Sequence, residues 1–402
     1  MPITHTFAPG AMLATACTLL AAPAFGGFHD GTDPACTGDG WLAKDDATFA
    51  ADCANMAFDG SLEDRQKVAW MFFARVNQLI DDPAYGGVSG TGKAPVWMAW
   101  PTDADTFGTA QPFAFSNTPR ADIQPVTEKK DLKAGRVATA DPDSANEEVN
   151  RNQTSYDYLI QAGLTTKIDV ASFFEANDFV DMPVGSIELK ASWLQVTEGS
   201  PAPEGALTFQ FESGEYWWRG LHIMAKMRPL DDPSDMFYSE DPSWFWTTFE
   251  FNANTGTTHV REAFITQRAP LPPEQIEAIL QAGGIAGFGF EEYAPNGTQI
   301  RFTVDGQGEQ PIILGHTDME DFAGAPNTAQ PRYWTSFEAS CHSCHATASY
   351  NPETASFFPF SVPTGALHPG YNVSNAQGST HVFLGQGYKP LDFMWPIAFQ
   401  AR

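Results

Sequence analysis

Ile187-Glu188-Leu189-Lys190-Ala191-Ser192-Trp193, preceded by Gly185-Ser186, alternates apolar and polar side chains over its whole length. A period of two sends Ile187, Leu189, Ala191 and Trp193 to one face and the polar residues to the other, which predicts a half-buried strand. On its polar face, Glu188 and Lys190 read as a cross-strand surface pair. Residues 206–212, 216–227, 244–251, 298–304 and 311–314 repeat the alternation or are crowded with aromatic residues. The middle of the chain therefore reads as a mainly antiparallel sheet.

Helical signals flank that sheet. Ser61 can cap a helix whose first turn holds Glu63 and Asp64, and Val68, Met71, Phe72, Val76, Leu79 and Ile80 follow at helical spacing. Shorter helices are expected at 155–161, 169–175 and 273–281, the last with Pro273 at its start and Gly283-Gly284 beyond its end. Residues 27–60 read as an irregular, disulfide-closed region rich in Gly and Asp, and residues 101–153 as a polar, turn-rich excursion. The fold class is α+β: a central mainly antiparallel sheet, flanking helices and a C-terminal helix carrying the motif described below.

The chain has 402 residues, of which 43% are hydrophobic and 13% aromatic, enough to bury a sizeable core. Acidic residues outnumber basic ones 49 to 22, a formal charge of −27, so the basic footprint of a nucleic-acid binder is missing. Residues 12–24 form the only continuous apolar stretch, too short to span a bilayer. With Ala22-Pro23-Ala24 at its end it reads as a secretory signal over residues 1–24, although no Lys or Arg precedes it; translation starts at Met1 or at Met12. The mature chain is then periplasmic or secreted, without an integral membrane segment. In an oxidising compartment Cys36 and Cys53 are expected to form a disulfide.

Chemistry enters at Ser340-Cys341-His342-Ser343-Cys344-His345, because Cys-x-x-Cys-His is the attachment sequence for c-type haem. On one helical turn the thiols of Cys341 and Cys344 can add to the two porphyrin vinyl groups while His345 turns a ring nitrogen to the iron as the proximal ligand. Two other readings compete. A thioredoxin-like redox pair needs a βαβ setting, and a structural zinc site needs a fourth ligand. His342 falls in the variable pair and is expected to face solvent. For the opposite axial position the sequence offers Met394, with His368 and His381 between it and the motif; ordinary packing or surface roles compete at each. In Gly220-Leu221-His222-Ile223-Met224-Ala225-Lys226 the alternation puts His222, Met224 and Lys226 on one face. That stripe either lines a haem pocket, with His222 as distal ligand or acid–base group and Lys226 on a propionate, or is solvated.

Residues 70–77 with Val96-Trp97, then 185–193, 220–223, 244–250 and Phe337 to His345, resemble a group of exported bacterial proteins of the cytochrome c kind with one haem motif near the C-terminus. In that group a second histidine often precedes the lysine matched by Lys226, and another follows the glutamate matched by Glu250. This chain has Ala225 and Phe251 there, leaving His222 alone of that histidine set. The resemblance implies an exported protein with one covalently attached haem c and brings no named reaction. Residues 25–330 are expected to form the α+β body, and residues 331–402 a haem-binding segment packed on it. Two functions fit: electron transfer with a redox partner protein, or a haem c-dependent enzyme of the peroxidase or oxidase kind acting through an open distal site on peroxide or a small organic substrate.

Overall fold

The computed structural model describes residues 33–108, 112–125, 146–230, 242–253, 271–300, 314–317, 319, 341, 345, 348–357 and 387–401. The signal region, His342, Cys344, His368 and His381 lie outside the described residues, as do most of 298–304 and 311–314.

The sheet expected in the middle of the chain is present. Its strands β3 (Asn146–Arg151), β4 (Ile187–Gln195), β6 (Gly214–Lys226), β7 (Trp244–Phe251) and β8 (Tyr293–Gln299) lie in that spatial order, every neighbour antiparallel. β5 (Thr208–Phe211) pairs with the start of β6. Two small sheets complete the set: β1 (Leu79–Asp81) with β2 (Lys93–Pro95), and β9 (Ser349–Asn351) between β10 (Ser356–Phe357) and β11 (Lys389–Pro390). The helices are α1 (Pro34–Thr37), α2 (Asp46–Phe58), α3 (Leu62–Val76), α4 (Asp103–Phe107), α5 (Gln153–Gln161), α6 (Lys167–Ala176), α7 (Pro273–Ala282) and α8 (Trp395–Gln400).

Local chemistry explains the principal helix. The Ser61 side chain accepts from the Asp64 amide, and the Asp64 carboxylate accepts from the Ser61 amide at 2.8 Å, a reciprocal cap for α3. The helix stops at Val76, earlier than its apolar spacing predicts. Asn77 takes over the end: its amide nitrogen donates to the Phe73 carbonyl at 2.9 Å and its amide oxygen accepts from the Trp97 indole at 3.0 Å. Leu79 and Ile80 therefore belong to β1 rather than to the helix. The region read as irregular contains α2, capped by Asp45 and burying Phe49, Cys53 and Met56 at helical spacing. The excursion at 101–153 contributes α4 and the edge strand β3.

Both faces of the sheet are covered, which corrects the half-buried expectation. On one face Leu189, Trp193, Leu221, Ile223, Phe245 and Phe249 pack with α2, α3 and α7. On the other, Met224, Trp244 and Trp246 pack with side chains of α4, α5 and α6 and with Tyr350, Phe393 and Ile397 of the C-terminal region. Glu188, Lys190, His222 and Lys226 on that second face survive burial because each has a partner. Glu188 and Lys190 are accordingly not a surface pair: Arg151 donates to Glu188 at 3.2 Å, and Lys190 meets Glu147 at 2.8 Å.

Candidate functional site

The second sheet face carries the site. β6 turns His222, Met224 and Lys226 toward it, 8%, 4% and 0% exposed, so the stripe is not solvated. β7 sets Thr248, Trp246 and Trp244 opposite these three residues. Thr248 Oγ1 lies 2.6 Å from His222 Nδ1 and fixes the orientation of the imidazole.

Cys341 and His345, the described residues of the Cys-x-x-Cys-His stretch, lie against this face. Cys341 is buried, and both its amide and its thiol reach the Leu314 carbonyl at 3.1 Å. Its sulfur stands 4.0 Å from His222 Nδ1. Cys341 and His345 both have helical backbone. The His345 ring meets the Trp246 ring edge-on with centroids 4.9 Å apart. His345 Nδ1 is 2.8 Å from the Phe393 carbonyl oxygen. A carbonyl can only accept, so Nδ1 carries the proton, and in the neutral imidazole the lone pair is then on Nε2.

His316 escaped sequence reasoning. It is fully buried, its ring centroid 6.1 Å from that of His222 and its Nε2 3.3 Å from the Arg219 carbonyl. Gly220 makes the room: a Cβ there would stand 2.7 Å from His316 Nε2 and 2.1 Å from the Phe249 carbonyl oxygen, at φ +146°. The segment bearing His316 is tied to the sheet through Asn296, whose amide nitrogen donates to Glu250 at 2.7 Å and to the Gly315 carbonyl at 3.0 Å. Gly315-His316-Thr317 matches no motif; the glycine in β6 was the only local signal, and it does not name its partner.

Two further sequence candidates, Lys226 and Met394, are fully buried. Lys226 does not wait for an anionic ligand: its ammonium meets Asp392 at 2.7 Å and Asp181 at 2.9 Å. Burial pushes the Asp392 carboxyl above the ordinary carboxylate range, and Lys226 opposes that push. Met394 is fully buried and directly follows Phe393, whose carbonyl oxygen lies 2.8 Å from His345 Nδ1.

Among the described residues no group of three or more His, Cys, Asp or Glu is placed to hold a metal ion, and the main sheet is antiparallel. Cys36 and Cys53 are bonded to each other, with Cα atoms 4.6 Å apart, and supply no zinc ligand. No helix among the described residues is long and apolar enough to cross a membrane. Compared with known proteins, the chain matches no family model, no curated protein and no solved structure.

Proposed function

We propose that the chain is an exported protein carrying one haem c on Cys341, Cys344 and His345, and that its work is electron transfer. The observation that carries this reading is the His345 ring: Nδ1 is committed to the Phe393 carbonyl, the arrangement that orients a metal-binding imidazole and strengthens its donor nitrogen. Cys341, four residues before His345, is buried against the same sheet face. A bound haem c would supply a one-electron iron couple. The chain would hold it against an aromatic wall that includes Trp246 and Phe393, excluding water and setting its potential.

Met394, His368 and His381 keep their candidacy as a second iron ligand. His222 and His316, both buried with ring centroids 6.1 Å apart, join them. Their pairing also favours a second reading, a haem enzyme in which they act as acid–base groups at an open iron. The Cys36–Cys53 bond supports an oxidising compartment, and the charge of −27 suits transient docking with a basic redox partner.

Optical spectra of protein purified from a host with haem c maturation, oxidised and reduced, with and without carbon monoxide, separate these readings. Sharp low-spin bands indifferent to carbon monoxide support electron transfer, and replacing the true sixth ligand among Met394, His368, His381, His222 and His316 should then convert them to high-spin. High-spin bands that move with carbon monoxide favour the enzyme. Absence of haem bands overturns both.

A further inference from the structure

The chain enters α8 through a turn that two side-chain-bearing residues should resist. Asp392 has φ +48° and Phe393 φ +67°, both left-handed, a region in which a Cβ crowds the following carbonyl. Consecutive residues of this kind persist only where the surroundings over-determine them, and they concentrate where the strain has a use.

Here the surroundings are specific. The Asp392 carboxylate is fully buried and accepts three hydrogen bonds. Oδ2 takes the Met182 amide at 2.7 Å and the Lys226 ammonium at 2.7 Å, while Oδ1 takes the Trp244 indole at 2.8 Å. Lys226 is equally buried, and it is anchored further by Asp181 at 2.9 Å and by Ser243 Oγ at 3.4 Å. The Leu391 amide donates to the Ala348 carbonyl at 3.0 Å, fixing the residue before the turn. What this scaffold presents is one group, the Phe393 carbonyl, which accepts from His345 Nδ1 at 2.8 Å and from the Trp395 amide at 3.1 Å.

We propose that Lys226 and Asp392 are positioning residues: their buried ion pair holds the left-handed turn so that the Phe393 carbonyl fixes His345 with its proton on Nδ1 and its donor pair on Nε2. This rests on the haem reading only for its consequence at the iron; the tautomer itself is a property of the chain. A more electron-rich Nε2 favours the oxidised metal, so the clamp lowers the reduction potential.

Lys226→Met tests the idea through a sign. Losing a nearby positive charge, taken alone, makes reduction harder and lowers the potential. Losing the clamp does the opposite: the potential should rise, by about a tenfold change in the oxidised-to-reduced ratio at fixed poise. A potential that falls or stays put overturns the proposal. The second measurement needs no haem. In full-length chain made without haem maturation, nitrogen-15 NMR of His345 should show the Nδ1–H tautomer in the wild type and a mixture with Nε2–H in Lys226→Met. If the lysine variant does not fold, Asp392→Asn, which keeps an oxygen for the Trp244 indole, should give the same mixture, and an unchanged Nδ1–H tautomer there refutes the clamp. A chain that never takes up haem but shows the tautomer change would overturn the proposed function and leave the clamp standing.

Discussion

Replacing Arg151 by Met should strand a carboxylate inside the second core, and the deficit should depend on pH in a stated direction. Arg151 is 0% exposed. Its Nε lies 3.2 and 3.3 Å from the two Glu188 oxygens, its other nitrogens reach Asp103, Thr106 and the Thr102 carbonyl, and the guanidinium stands 5.2 Å from the Phe107 ring centroid. Removing one partner of a buried pair costs about 3–5 kcal/mol, most of it the uncompensated charge left behind. Burial already raises the Glu188 carboxyl above its ordinary value, with Arg151 the strongest opposing influence, so the variant raises it further. A raised folded-state value means that the folded variant binds a proton the unfolded chain has released. Its stability must then fall as pH rises from the unfolded carboxylate value through the folded one, by up to about 1.4 kcal/mol per pH unit for a single group. Equilibrium urea unfolding of wild type and Arg151→Met at about pH 4.5 and about pH 7.5 reads this directly, with the larger deficit at the higher pH. Adding Glu188→Gln should flatten most of the slope. A deficit equal at both values, or below about 1 kcal/mol at the higher one, would refute the reasoning.

Three further outcomes follow from the packing. Gly220→Ala should cost roughly 3 kcal/mol or abolish folding, because its new methyl meets the Phe249 carbonyl and His316 at a backbone angle alanine avoids; thermal melting and soluble yield measure it. Replacing Cys36 and Cys53 by Ser should lower stability by about 3 kcal/mol, the closure entropy of a loop with a sequence separation of 17, and the variant should be insensitive to reductant where the wild type is not. Ser61→Ala removes the α3 cap and should cost about 1 kcal/mol in urea unfolding.

What could be read in the sequence was whatever a local period or cap announces. The alternation through Ile187–Trp193 and the Ser61–Asp64 cap led to β4 and α3, and the single-face stripe of His222, Met224 and Lys226 was visible in the period of two. β3 was not legible, because Asn146-Glu147-Glu148-Val149-Asn150-Arg151 has one apolar residue. It is buried only because Arg120, Lys190 and Glu188 meet its charges from elsewhere in the chain. The same holds for the partner of Lys226, Asp392, which lies 166 residues further along. Tertiary pairing of this kind inverts the usual inference that a charged face is a solvated one. Within the site, Cys341 and His345 were announced by their motif, whereas His316 depends on a vacancy at Gly220 and on the Asn296 tie, and neither leaves a pattern in sequence.

The central claim is covalent haem on Cys341 and Cys344 with His345 as the iron's ligand. Intact mass of the full chain, expressed with haem c maturation and denatured before measurement, tests it most directly. The wild type should carry the mass of one haem beyond that of its polypeptide, and Cys341→Ala/Cys344→Ala should carry none. A wild-type chain at bare polypeptide mass, or a double variant that keeps its haem, would contradict the account.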